Sequence, residues 1–154
     1  MDRCAFTVPG NPVGKGRPRI TTRGGKPRSY TPAKTRSYEA TVAKWAKAAM
    51  RGHPPFQGAC TLSVVAYMPI ATSWSAKKRA AALAGELLPT VKPDADNAIK
   101  AICDAINGIV WHDDVQVIDG RVVKLYSGNP RVEVSVVHLE AGERGVKYIA
   151  PEAA

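Results

Sequence analysis

A chain of 154 residues, 45% of them apolar, suits one domain with its own core and excludes wholesale disorder. A net charge of +9 and a pI near 9.7 point to a polyanionic partner, of which nucleic acid is the commonest. Cys4, Cys60 and Cys103 are odd in number and form no C-x-x-C pair, which argues against a disulfide framework or a zinc–thiolate site and for a reducing cytoplasm.

The start, MDRCAFTVPG, lacks the long apolar stretch of a signal peptide, and no run approaches the roughly 18 apolar residues of a spanning helix. The expectation is a soluble cytoplasmic protein with no membrane partner. Residues 3–9 read as a first strand ended by Pro9-Gly10. Residues 10–32 are rich in Gly, Pro, Lys and Arg with little to bury, so they read as a loop or ribbon. Its one-signed, glycine-interleaved charges, Lys15, Arg17, Arg19, Arg23, Lys26 and Arg28, suit an arm that grips phosphates, with Tyr30 beside them.

Thr31-Pro32 predicts a helix start, with Thr31 as N-cap and Pro32 in the first helical position. Val42, Trp45, Ala46 and Ala49 supply its apolar stripe, and Gly52 ends it. Residues 59–68 predict a strand stopped by Pro69, and 75–85 a second helix capped by Ser73 or Ser75. Trp74, in the connector, is a candidate wedge for nucleic acid, whereas Trp111 reads as a core aromatic. A third helix over 96–107 is closed by Gly108. Residues 115–126, kinked at Asp119-Gly120, and 131–139 predict the last two strands, before a polar tail over 140–154. The fold class is mixed α/β (α+β): one domain over 1–154 with a mostly antiparallel sheet packed with helices.

Charge is unevenly distributed. Residues 1–51 carry twelve Lys or Arg against Asp2 and Glu39, while 92–119 carry Lys92 and Lys100 against six aspartates. At 100° per residue, Ala98, Ile99, Ala101, Ile102, Ala105 and Ile106 share one side of the third helix. Asp96, Asn97, Lys100, Asp104 and Asn107 share the other. Such a face alone is commonly a solvated ladder of i,i+4 pairs. Asp94 and Asp96 at the helix start, with Asp113 and Asp114 beyond its end, change that reading. Clustered acids repel, and a bound divalent cation reverses the sign. Mg²⁺ takes oxygen ligands, activates water and offsets charge developing on a phosphate, while a lysine one turn away can contact that phosphate. Asp94 and Asp96, with the pair Asp113 and Asp114, are therefore the candidate metal ligands, and Lys100 the candidate phosphate contact. GNPVGKG lacks the spacing of a P-loop, and D-A-D-N-A-I lacks the third ligand and glycine of a calcium loop.

The pattern K-P-D-x-D-N-x-x-K-x-x-x-D-A-x-N-G over residues 92–108, followed by D-D-x-Q-V over 113–117, resembles the RusA family of Holliday junction resolvases, often encoded by phages and prophages. The resemblance extends more loosely over most of the chain. It implies a small homodimeric nuclease acting with Mg²⁺ or Mn²⁺ on four-way DNA junctions by paired symmetric nicks, in recombination and repair. The family's essential aspartates fall on Asp94, Asp96 and Asp114, and its catalytic lysine on Lys100. Asp104 and Asp113 match further acidic positions. The segment 70–91 is longer than in compact members. Two other readings keep part of this pattern: a flap or branched-DNA nuclease with the same metal site, and a non-catalytic DNA-binding protein.

Overall fold

A computed structural model describes residues 1–17, 19–22 and 24–139. Arg23 of the basic loop and the polar tail over 140–154 lie outside the described residues. The elements run β1 (Arg3–Pro9), β2 (Arg19–Thr21), β3 (Arg28–Tyr30), α1 (Ala33–Met50), β4 (Cys60–Pro69), α2 (Ala76–Leu83), α3 (Ala95–Ile106), β5 (Val117–Ser127) and β6 (Arg131–His138), with a 3₁₀ turn at Asp114–Gln116. The fold is mixed α+β, in one small domain.

β1, β6, β4 and β5 lie side by side in that order. β6 pairs antiparallel with both β1 and β4, and β4 pairs parallel with β5. Parallel neighbours need a long crossover, and the chain uses it to place α2 and α3. Period-two patterning builds the core face. Cys4, Phe6 and Val8 of β1, Leu62, Val64 and Ala66 of β4, and Val132, Val134 and Val136 of β6 are all buried. The buried Val42 and Ala46 of α1, with Ile102 and Ile106 of α3, belong to the same core. All three cysteines are buried and free, and Trp111 is fully buried. No helix among the described residues is long and apolar enough to cross a membrane.

Several local expectations shift. Pro32, with ψ 145°, is itself the N-cap of α1, so the helix starts one residue later than Thr31 as cap would require. The ring of Pro32 lies against Gly16 of the basic loop, which ties it outside the helix. The buried stripe of α1 runs through Thr35, Val42, Ala46 and Met50, and Trp45 sits at its edge, 40% exposed. Ser75 is the cap of α2, its Oγ accepting from the Lys78 backbone N–H at 3.3 Å. Trp74 packs edge-on against Tyr126, ring centres 5.2 Å apart, and the Lys78 ammonium stands 4.1 Å from its ring centre. The indole suggested as a wedge is thus engaged by the protein on two sides.

The strand expected over 115–126 begins as the 3₁₀ turn and becomes extended only at Val117. Its irregularity falls at Ile118, skipped between the pairs Cys60↔Val117 and Thr61↔Asp119, rather than at Asp119-Gly120. The basic loop contains a short ribbon, β2 paired antiparallel with β3. Its first part is less open than its composition implies: Pro12 is buried, and Val13 to Gly16 are half-buried.

Candidate active site

The start of α3 sets the first pair of carboxylates. Asp94 is the N-cap, in extended conformation, and its carbonyl accepts from Ala98 N–H at 2.9 Å. An aspartate here normally spends its carboxylate on the free N–H groups of the first turn. Asp94 makes no such bond, and among the described residues its carboxylate meets only the Asn97 amide, at 3.5 Å. Asp96 follows in the first turn, exposed, where the helix dipole favours negative charge. The connector leading in is held from β5, where Lys124 Nζ donates to the carbonyls of Val91 and of Pro93, the latter at 3.0 Å.

Beyond α3 the chain reverses at Asn107-Gly108, where Gly108 takes φ +71°. The buried Trp111 indole donates to Asn107 Oδ1 at 2.5 Å, and Gly108 N–H donates to the Trp111 carbonyl at 2.7 Å. This reversal brings Asp113 and Asp114 back toward the helix, and there the two acids part. Asp113 caps the 3₁₀ turn, its Oδ1 accepting from Val115 N–H at 3.0 Å. Gln116 completes the box by accepting from the N–H groups of His112 and Asp113, and its amide donates to the carbonyls of Phe56 and Gly58. Asp114 is half-buried and takes no part in the cap. It is close enough to α3 to act on Cys103. That thiol is pushed up to about 11, chiefly by burial and in part by the charges of Asp114 and Asp104, with Lys100 opposing them.

Lys100 and Asp104 stand one turn apart on α3, Nζ to Oδ1 3.7 Å, with the Lys100 side chain 60% exposed. The nearer partner of Asp104 is Lys15 of the basic loop, Nζ to Oδ2 2.8 Å, and Lys15 also reaches Glu39 of α1 at 2.6 Å. Burial by itself would lower the Lys15 pKa, but hydrogen bonds to Asp104 and Glu39, and their charge, raise it instead. Within the same loop, Arg17, Arg19, Lys26 and Arg28 are exposed and form no ion pair among the described residues.

A cleft of about 890 Å³ opens between the loop and α3. Arg17, Arg19, Lys34 and Lys92 bring positive charge to it, and Asp94 and Asn97 stand on its wall. The cleft therefore joins the arm to the first acidic pair. Lys34, Lys92, Lys124 and Gln116 were given no role by the sequence, although Lys92 and Gln116 are letters of the K-P-D and D-D-x-Q-V runs. Lys92 and Gln116 carried a signal, two residues before Asp94 and three after Asp113, whereas Lys124 acts through the distant carbonyls of Val91 and Pro93 that no spacing reveals.

The donor set consists of hard carboxylate oxygens, which suit Mg²⁺ in chemistry. Among the described residues, however, no three His, Cys, Asp or Glu side chains are grouped closely enough to hold a metal ion. Asp94 and Asp96 come from the helix start, and Asp114 from the 3₁₀ turn beyond its end. Since Mg²⁺ is ordinarily held by one or two carboxylates plus phosphate oxygens and water, this donor set fits a site that nucleic acid helps to complete.

The family model "Endodeoxyribonuclease RusA" matches residues 9–137, and the chain belongs to the RusA endodeoxyribonuclease family. It is thus an endonuclease by family. It is also 42% identical, over 143 residues, to the "Uncharacterized protein YqaN" of Bacillus subtilis (strain 168), an alignment covering 92% of this chain and all of that protein.

Proposed function

We propose that this protein resolves four-way (Holliday) DNA junctions by paired, symmetric, Mg²⁺-dependent nicks, in recombination and repair within a bacterial or phage-infected cell. The observation that carries the reading is the basic cleft opening directly onto Asp94 at the start of an acidic helix. A simple DNA binder would keep carboxylates away from phosphate, since like charges in contact cost binding energy.

In this reading Arg17, Arg19, Lys26 and Arg28, with Arg23, grip backbone phosphates and draw a strand across the cleft. Lys34 and Lys92 extend that grip toward the helix. Asp94, Asp96 and Asp114 would hold Mg²⁺, or Mn²⁺ in its place, which when bound supplies an activated water and offsets charge on the scissile phosphate. Lys100, exposed and only loosely paired with Asp104, is free to meet the phosphate or the leaving oxygen. Asp113, which caps its own turn, acts by fixing the backbone that carries Asp114. Two strands of like polarity must be cut to release intact duplexes, and a homodimer with two-fold symmetry supplies two equivalent sites.

The test is cleavage of a labelled synthetic four-way junction beside linear duplex, flap and single-strand controls, with Mg²⁺ and with EDTA. Paired symmetric nicks that require Mg²⁺ and vanish in Asp96→Asn are expected. Preferential cutting of flaps would keep the site and overturn the substrate. Binding without cleavage in Mg²⁺ or Mn²⁺ would overturn the enzyme reading.

A further inference from the structure

Lys15 sits among the arm's cations in sequence but not in space. Its backbone N–H donates to the Asn97 carbonyl at 2.8 Å, within the first turn of the acidic helix. Gly14 before it lies so close to that helix that a Cβ there would stand 2.8 Å from Pro93 Cβ and 3.1 Å from Asn97 Cβ. Gly16 after it donates its N–H to Oγ1 of the buried Thr35 of α1 at 3.2 Å, and a Cβ there would meet the same oxygen at 2.7 Å. The half-buried Tyr38 of α1 accepts at its hydroxyl oxygen from the Val13 backbone N–H. Residues 13–16 are therefore bolted to both helices.

We propose that Lys15 is a positioning residue for catalysis, resting on the nuclease reading above: its ammonium holds the Asp104 carboxylate and so keeps Lys100 available to the DNA phosphate. The distances set the competition. Asp104 lies 2.8 Å from Lys15 and 3.7 Å from Lys100. Both lysines can pair with it, but Lys15 is mostly buried and already fixed at its backbone, so its ion pair costs little side-chain entropy. Lys100 is largely exposed, and a surface i,i+4 pair of that kind is weak. Removing the Lys15 charge leaves Asp104, among the described residues, with Lys100 as its paired cation, and the carboxylate then closes on the lysine that the reaction needs. Glu39, the second acid on Lys15, neutralises the rest of its charge and leaves little to attract a phosphate.

The test compares wild type with Lys15→Arg, the pair Lys15→Met/Glu39→Gln, and that pair with Asp104→Asn added. The pair removes a cation and an anion together, so no acid beside position 15 on α1 is left unbalanced. Each protein is measured for junction affinity in EDTA across a salt series, for single-turnover cleavage in Mg²⁺ at saturating enzyme, and for melting temperature. Lys15→Arg should cut within about twofold of wild type. The pair should cut about tenfold more slowly through misplacement alone, with its salt dependence of binding unchanged. Adding Asp104→Asn should recover most of the missing rate. A salt slope lower by about one in the pair, with an unchanged saturated rate, would make Lys15 a phosphate contact and overturn the proposal. A triple variant no faster than the pair would remove Asp104 as the link. Failure of wild type to cut branched DNA would instead remove the nuclease reading, and the salt slope and melting temperatures would still decide whether Lys15 is an anchor or a grip.

Discussion

The basic loop and the acidic segment carry opposite charge and are built on opposite terms. The acidic segment is rigid: a helix packed by Ile102 and Ile106, a reversal locked by Trp111 on Asn107, and a turn capped by Asp113. The loop has two parts. Its root, Val13 to Gly16, is half-buried against α1 and α3, whereas its tip is a two-stranded ribbon with exposed Arg19, Lys26 and Arg28. Where the regions meet, charge is consumed by structure, as between Lys15 and Asp104. Where they do not, it stays available to solvent and to a partner. A charge in a nucleic-acid-binding protein thus has to be assigned by its neighbours rather than by its sign.

The contrast can be broken most forcefully on the acidic side. Asp94→Asn, Asp96→Asn and Asp114→Asn should each lower junction cleavage by about a hundredfold or more while keeping or tightening junction binding, because each removes negative charge beside phosphate. Gel-shift and cleavage assays on one preparation read both, and wild-type rates in any of the three would remove that residue from the site. Next comes the root. Gly14→Ala places a methyl group against the rigid Pro93 ring, which must displace the loop from the helix start, and up to about a hundredfold loss of cleavage should follow. Gly24→Ala in the tip meets no atom within 4 Å and strains only its own positive φ, so its effect on cleavage should be a few-fold at most. Equal effects of the two glycine changes would erase the distinction between root and tip.

Leading into the tip, Arg17→Ala with Arg19→Ala should weaken binding and lower the slope of log affinity against log salt by about two, since each phosphate that is no longer neutralised removes about 0.9. An unchanged slope would deny the arm its grip. The smallest effect is on stability in alkali. Burial pushes the Cys4 and Cys103 thiols up to about 11, from an ordinary value of 9.0. Their folded-state values exceed the unfolded ones, so the folded protein holds these protons more tightly. That contribution is complete below pH 9 and is lost as pH rises toward 11. Melting temperature should fall across that window, and Cys4→Ala should make the fall shallower.

Much of the acidic segment was legible because its logic is local. Asp96, Lys100 and Asp104 recur at helical spacing, the opposite face is apolar, and Gly108 marks the end. The strands were legible from period-two patterning, as in RVEVSVVH of β6. The roles of Asp113 and Asp114 could not be separated from two adjacent identical letters, because the distinction rests on backbone geometry that gives only Asp113 a reachable N–H. Lys15 was illegible for a different reason. Its partners, Glu39 and Asp104, lie far along the chain, and nothing in GNPVGKGRPR distinguishes the one cation that turns inward. The parallel pairing of β4 with β5 likewise depends on a crossover whose return path no local pattern encodes.

The position of β6 has a consequence for how the chain acquires its shape. It is the last strand in chain order among the described residues, yet it lies between β1 and β4 in the sheet. During synthesis β5 can join one edge of β4, but β1 and the other edge of β4 remain open until residues 131–138 follow. Both helices flanking the cleft are made before that moment, but the sheet that supports them closes only when its central strand arrives. Contacts spanning such long stretches of chain form slowly. A nascent chain stalled before Arg131 would therefore leave β1 without a partner and one edge of β4 open, vulnerable to proteases and to aggregation.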